Sequence, residues 1–272
     1  MRERYSFGQA EAEAAEMKKM VDAGEAADYR SAELSIEASK EDLYEGRDDA
    51  KFAKLVADPE KFRDLFGRRT LVDRLEAIKH AADGKTIYEH TRQLLMNLRT
   101  DAFKDLDLGG INLPDLVRAV GLYHDADKLF DGQPKDPRDP DGPKYNFVEA
   151  KAKAVPLALQ EVAEHMPKLF ADERARELFK VLMSTGTYFG YNLERLSRLP
   201  EPRFNDEGEK MIDNMVHAPI GRLKEKGIKI DPDALFAVQF ALSRADTSAI
   251  DVFKGNTGKL DRLYARLLEL VS

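Results

Sequence analysis

The sequence predicts an all-α fold, and three observations carry that prediction. Ala, Leu, Glu, Lys and Arg, all strong helix formers, dominate the 272 residues. Runs of β-branched residues are nearly absent, and Gly and Pro are not enriched. Apolar residues recur at three- and four-residue spacing between recognisable capping and stop signals.

The elements follow in chain order. Residues 9–40 read as a helical hairpin: "QAEAEAAEMKKMVDA", a stop at Gly24, then "EAADYRSAELSIEASK". Its apolar face is thin and made mostly of Ala, so residues 1–47 are taken as a helical appendage and 48–272 as the main helical domain. Asp58–Pro59 opens a helix, because Asp caps and Pro is tolerated in the first turn. In "RRTLVDRLEAIKHAADG", Leu71, Leu75 and Ile78 share a face, and His80 lies near the helix end, where its charge suits the helix dipole. "GKT" at 84–86 fails as a phosphate-binding loop, since the position five before Gly84 is Lys79. Thr86 and Glu89 instead form a T-x-x-E capping box. Counting from that cap, Ile87, His90, Thr91, Leu94 and Leu98 form one stripe, which puts His90 on a buried face.

Asn112 and Pro114 open "LPDLVRAVGLYHDADKLF", with Val117, Val120, Gly121 and His124 on one face. Gly121 costs about 1 kcal/mol of helix stability relative to Ala, and its lack of a side chain invites close approach by a neighbour. "DGQPKDPRDPDGPKY" at 131–145 holds four Pro and reads as a loop, a candidate lid beside the His–Asp pair. Two further helical stretches cover 146–170 and 172–196, and a helix is expected around 207–217. Asp231–Pro232 opens a helix reaching about residue 253, with Leu235, Gln239, Leu242, Asp246 and Ala249 on one face. The last helix is "GKLDRLYARLLELV".

Composition narrows function. With 43% hydrophobic and 34% charged residues the chain reads as a soluble globular protein. A net charge of −7 argues against general nucleic-acid binding, which needs a basic surface to displace counterions. There is no Cys, so disulfides, thiolate metal sites and a cysteine nucleophile are excluded. The N-terminus lacks the apolar core of a signal peptide, and "ALFAVQFAL" at 234–242 is too short to span a bilayer. A cytoplasmic location is the expectation.

Three helices each bring a metal-ligating side chain into an apolar stripe: His90, the pair His124–Asp125, and Asp246. Two imidazoles and two carboxylates suit a borderline divalent cation and leave positions for water and substrate. A cation would also offset the cost of burying two carboxylates.

The isolated His, the His–Asp pair and the distant Asp resemble the HD-domain metal-dependent phosphohydrolases. "EHTRQLLMNL", "VGLYHDADKL" and "ALSRADTSA" look like that family's three signature segments, and the resemblance covers about 86–250. It implies an HD-like helical bundle in which His90, His124, Asp125 and Asp246 hold a divalent metal (Mn, Co, Ni, Fe, Zn or Mg). Lys128 matches the family lysine that helps with phosphate, so Lys128 and Asp125 are the catalytic candidates. Asp127 stands where the family commonly has Gly. Binuclear members carry two further His between the pair and the last Asp. "YNFVEAKAKAV" and "KVLMSTGTYF" hold none, and His165 and His217 fall outside matching text, so one metal is expected. This also argues against the di-iron oxygenase branch. Arg244 and Arg92 are further phosphate candidates; Glu149 and Asp127 are candidate bases.

The resemblance implies hydrolysis of a phosphate ester, with a nucleotide as the expected small-molecule substrate and no membrane partner. One alternative is a non-catalytic HD-fold binding or sensor module. Another is an RNA-linked phosphatase or phosphodiesterase, though the basic stretches "GRR" at 67–69 and "GRLKEKGIK" at 221–229 are short and scattered. The N-terminal hairpin is a candidate surface for self-association or a protein partner.

Overall fold

The computed structural model describes residues 43–44, 47–67, 69–79, 84–101, 103–106, 110–131, 147–250 and 257–271. The hairpin predicted at 9–40, His80 and nearly all of the 131–145 loop lie outside the described residues. Among those described there is no strand, only one antiparallel bridge between Lys79 and Thr86. Among the described residues thirteen α-helices follow one another: α1 (Asp49–Ala57), α2 (Pro59–Arg63), α3 (Arg69–Ala77), α4 (Ile87–Asn97), α5 (Leu113–Tyr123), α6 (Lys128–Asp131), α7 (Phe147–His165), α8 (Pro167–Phe170), α9 (Glu173–Leu196), α10 (Glu201–Ile212), α11 (Ala218–Glu225), α12 (Pro232–Ala249) and α13 (Thr257–Val271). The all-α reading holds. None of the described helices is long and apolar enough to cross a membrane.

The caps expected from sequence are made. Thr86 and Glu89 close a reciprocal capping box on α4. Asp58 accepts from the backbone of Glu60 and Lys61 on α2, Asn112 from Asp115 on α5, and Asp231 from Asp233 on α12. Two boundaries differ from the sequence reading. Helix α12 stops at Ala249, because Ile250 turns to an extended conformation, and Lys85 Nζ reaches across to cap the Ala249 carbonyl at 3.1 Å. The helix expected at 207–217 starts earlier, at Glu201, and widens over Asp213–His217 into a π turn before α11.

That π turn has a local cause. Pro219 has no N–H, so the carbonyl of Met215, four residues back, loses its helical donor. The Gln239 side chain of α12 supplies it, donating to Met215 O at 2.8 Å, while the Ala218 N–H reaches back to Asp213 O. A carboxamide on an otherwise apolar helix face is thereby explained: it also donates to Thr185 Oγ1 of α9 at 2.8 Å.

Helix α12 is central, with α4, α9 and α13 packed along it; α4 also packs on α1, α3 and α5. Helix α5 is buried on all sides except at Pro114. Gly121 is what lets α4 come close. A Cβ there would stand 2.9 Å from Leu95 Cδ2 and 3.2 Å from Leu94 Cδ2, and both leucines are almost fully buried. Gly121→Val is therefore expected to destabilise by about 1–3 kcal/mol through overpacking, read as a lower midpoint in urea unfolding with an unchanged slope.

The core reaches back to the start of the described chain. Tyr44 is buried and packs on Phe52 of α1, with ring centroids 5.6 Å apart.

Candidate metal centre

Three helices converge as the sequence pattern requires. His90 projects from the first turn of α4 and is 0% exposed, because Thr86 sets the register that turns it inward with Ile87 and Thr91. His124 closes α5, and Asp125 follows in a tight turn leading into α6. Asp246 comes from the last turns of α12, the most open of the four with 36% of its side chain exposed.

The ligand atoms of His90, His124 and Asp246 all lie within 4.8 Å of one another. His90 Nε2 is 2.8 Å from Asp246 Oδ1, and His124 Nε2 is 3.7 Å from the same oxygen. Asp125 Oδ2 lies 3.4 Å from His124 Nε2 and 3.9 Å from His90 Nε2. Two ligands bound to one cation at about 2.1 Å stand roughly 3.0–3.4 Å apart, depending on the coordination geometry. The observed spacings bracket that range.

The tautomer of His124 also fits a metal ligand. Its Nδ1 lies 2.9 Å from the Gly121 carbonyl, which can only accept, so Nδ1 carries the hydrogen and Nε2 presents a lone pair when the ring is neutral. That buried Nε2 makes no hydrogen bond among the described residues. Two carboxylates, a lone pair on buried imidazole nitrogen and a second imidazole form a donor set for a hard or borderline divalent cation.

The carboxylates are ionised. Burial favours the neutral acid at Asp125, but His124, Lys128 and His90 outweigh it and hold the group well below the usual carboxylate range. Burial likewise opposes ionisation of Asp246, and the imidazoles of His124 and His90 prevail. His124 is the reciprocal case: burial pushes its imidazolium down, while Asp125 and Asp246 together raise it.

Lys128 joins the centre. The turn after His124 is built from bonds between residues three apart, Lys128 N to Asp125 O at 3.1 Å and Phe130 N to Asp127 O at 3.0 Å. This puts Lys128 over Asp125, and its Nζ donates to Asp125 Oδ2 at 2.5 Å. The two arginine candidates are committed elsewhere. Arg92 Nε donates to Val56 O at 2.9 Å and Nη2 to Ala57 O, capping α1. Arg244 Nε pairs with Asp261 of α13 at 2.7 Å. The geometry around a helix explains both: residues two apart point to nearly opposite sides.

The remaining candidates whose side chains are described are engaged with other partners. His165 packs against Gly67, where a Cβ would overlap its ring, with Glu161 3.9 Å away. His217 is exposed and pairs with Asp213 at 3.1 Å. The side chain of Glu149 lies outside the described residues. Asp127 is buried and bound to Lys151 Nζ at 2.7 Å, which suits a structural ion pair better than a base.

Lys151 is the site residue that the sequence reading missed. It comes from the inner face of α7, and the same Nζ donates to the His124 carbonyl. It thereby ties the His–Asp turn to α7. The available signal was its place between Ala150, Ala154 and Val155 on a buried stripe, where a lysine needs a partner.

Comparison with known proteins finds no matching family model, no matching curated protein and no matching solved structure.

Proposed function

We propose that this protein is a divalent-metal-dependent phosphohydrolase that cleaves a phosphate ester, with a nucleotide as the favoured substrate class. The observation that carries this reading is the convergence of His90, His124 and Asp246 within 4.8 Å of one another from three helices, with Asp125 3.4 Å from His124 and Lys128 against that buried carboxylate. The resemblance of the three segments to the HD-domain phosphohydrolases supports it, and nucleotide as the substrate comes from that resemblance alone.

In this reading the four side chains hold one cation, which when bound supplies Lewis acidity toward a phosphate and lowers the pKa of water. The chain's own residues do the rest. Gly121 O fixes the His124 ring through Nδ1–H. Lys151 holds the turn that carries the pair. Lys128, mostly buried and held against Asp125, supplies a positive charge for the phosphate oxygens. Burial of His90 and Asp125 excludes water from the back of the site and strengthens these interactions.

The test is a phosphatase screen of chelator-treated protein, with and without added Mn²⁺, across nucleoside monophosphates and p-nitrophenyl phosphate. Metal-dependent release of phosphate is expected, and Lys128→Met should lower kcat/KM by about 10²-fold or more. Stoichiometric metal with no turnover on any ester would instead favour the binding-module alternative.

A further inference from the structure

A cavity of about 20 Å³ adjoins the metal centre. One water needs roughly 10–15 Å³, so the space suits a single molecule of that size. Leu94 of α4, Val120 of α5 and Leu182 of α9 give it apolar walls, and three polar side chains, His124, Asp246 and Ser243, also line it. A purely apolar cavity stays dry, whereas one that offers roughly two to four polar partners takes up an ordered water. His124 brings a buried Nε2 that has no hydrogen bond among the described residues, and Asp246 brings a carboxylate.

Ser243 is the telling member. It is buried and stands three residues before Asp246, so both lie on one face of α12. A hydroxyl inside a helix commonly bonds back to the carbonyl four residues earlier. Ser248 does so to Arg244 O at 2.7 Å, and Thr185 to Val181 O at 2.8 Å. The Ser243 hydroxyl makes no such bond and has no hydrogen-bond partner among the described residues. Leaving a buried hydroxyl unmatched costs stability, and a water in the cavity would remove that cost. Gly190 of α9 leaves room for the hydroxyl, because a Cβ there would stand 3.0 Å from Ser243 Oγ.

We infer that the cavity binds one water, held by Ser243 Oγ and the Asp246 carboxylate beside the His124 ring, and that Ser243 is a positioning residue for the water that hydrolysis consumes. The role in hydrolysis rests on the proposed phosphohydrolase reading; the water site does not. In the reaction the water oxygen bonds to phosphorus as the ester P–O bond breaks. One of its protons leaves with the alcohol and the other stays on the phosphate. Ser243 takes no proton in this step; its hydroxyl fixes the direction in which the water faces.

Two measurements separate the claims. High-resolution crystal structures of the wild type and Ser243→Ala, each with and without Mn²⁺, read the water directly, and kinetics on p-nitrophenyl phosphate read its use. The wild type should show a water within hydrogen-bond distance of Ser243 Oγ and Asp246. Ser243→Ala should lose or displace it while keeping metal stoichiometry and the urea midpoint. Its kcat should fall about 10–100-fold with KM nearly unchanged, a split that a purely structural role would not produce. Gly190→Ala, which crowds the hydroxyl without removing it, should lower kcat by a smaller factor. A wild type with no water at Ser243 in either form overturns the inference, as does an active wild type whose kcat Ser243→Ala leaves unchanged. A water present in the wild type and lost in Ser243→Ala, with no ester turned over, supports the water site and overturns the phosphohydrolase reading together with the role that rests on it.

Discussion

Arg118→Ala is expected to destabilise the protein by about 3–5 kcal/mol, enough to unfold a typical domain of marginal stability in part at 37 °C. Arg118 is the largest of the fully buried side chains and sits in the middle of α5, the helix that ends at His124. Its guanidinium binds Asp49 of α1 at 3.1 Å and Asp115, one turn earlier, at 2.9 Å. It also lies over the Phe52 ring, 4.5 Å from the centroid. Removing it leaves a cavity and two poorly solvated carboxylates without their cation. Arg118→Met tests the cause: it fills much of the volume but still strands the carboxylates, so it should recover only part of the loss. Arg118→Met combined with Asp49→Asn and Asp115→Asn should recover more. Urea unfolding at neutral pH reads all three, and equal midpoints for wild type and Arg118→Ala would show the network to be energetically idle.

The second large effect is at the centre itself. His124→Ala combined with Asp125→Ala should remove stoichiometric metal binding and lower any metal-dependent phosphatase activity by 10³-fold or more, about 4 kcal/mol or more of transition-state stabilisation. Loss of a single ligand already breaks the proposed donor set, because two of its four side chains among the described residues come from this pair. The variant also separates function from folding. At Asp125 the attraction of His124, Lys128 and His90 outweighs repulsion from Asp246, so removing the pair loses favourable charge pairings. Helix α5 keeps its Asn112 cap and its packing on α4 and α12, and the metal-free variant should keep the helical content of the wild type by circular dichroism. Saturating metal should stabilise the wild type by about 2.7 kcal/mol at a hundredfold excess over Kd and leave the variant unmoved.

Much of this was legible in the sequence, for local reasons. Thr86, Asp58, Asn112 and Asp231 announce helix starts because their side chains meet backbone donors two or three residues away. Once the starts are known, helical periodicity turns His90 and Asp246 inward. Gly121 is legible as a close approach because glycine has a cost that packing must explain. What was not legible depends on partners far along the chain. Arg118 looks like any charged residue on a helix until Asp49 of α1 is brought beside it, 69 residues away in sequence. Lys151 needs α7 to pass the His–Asp turn. The π turn at Asp213–His217 needs the Gln239 side chain to take over the donor that Pro219 lacks. Arg92 and Arg244 look like phosphate ligands in the sequence because they flank the metal residues closely. In the fold that same closeness points them the other way, to the end of α1 and to Asp261.

The central claim is that His90, His124, Asp125 and Asp246 form one divalent-metal site. It is tested most directly by isothermal titration of Mn²⁺ and Zn²⁺ into chelator-stripped protein, run beside His90→Ala, His124→Ala and Asp246→Ala, with circular dichroism on each variant. One metal per chain in the wild type, lost in all three folded variants, is the predicted result. A wild type that binds neither metal, or variants that bind as the wild type does, would contradict it.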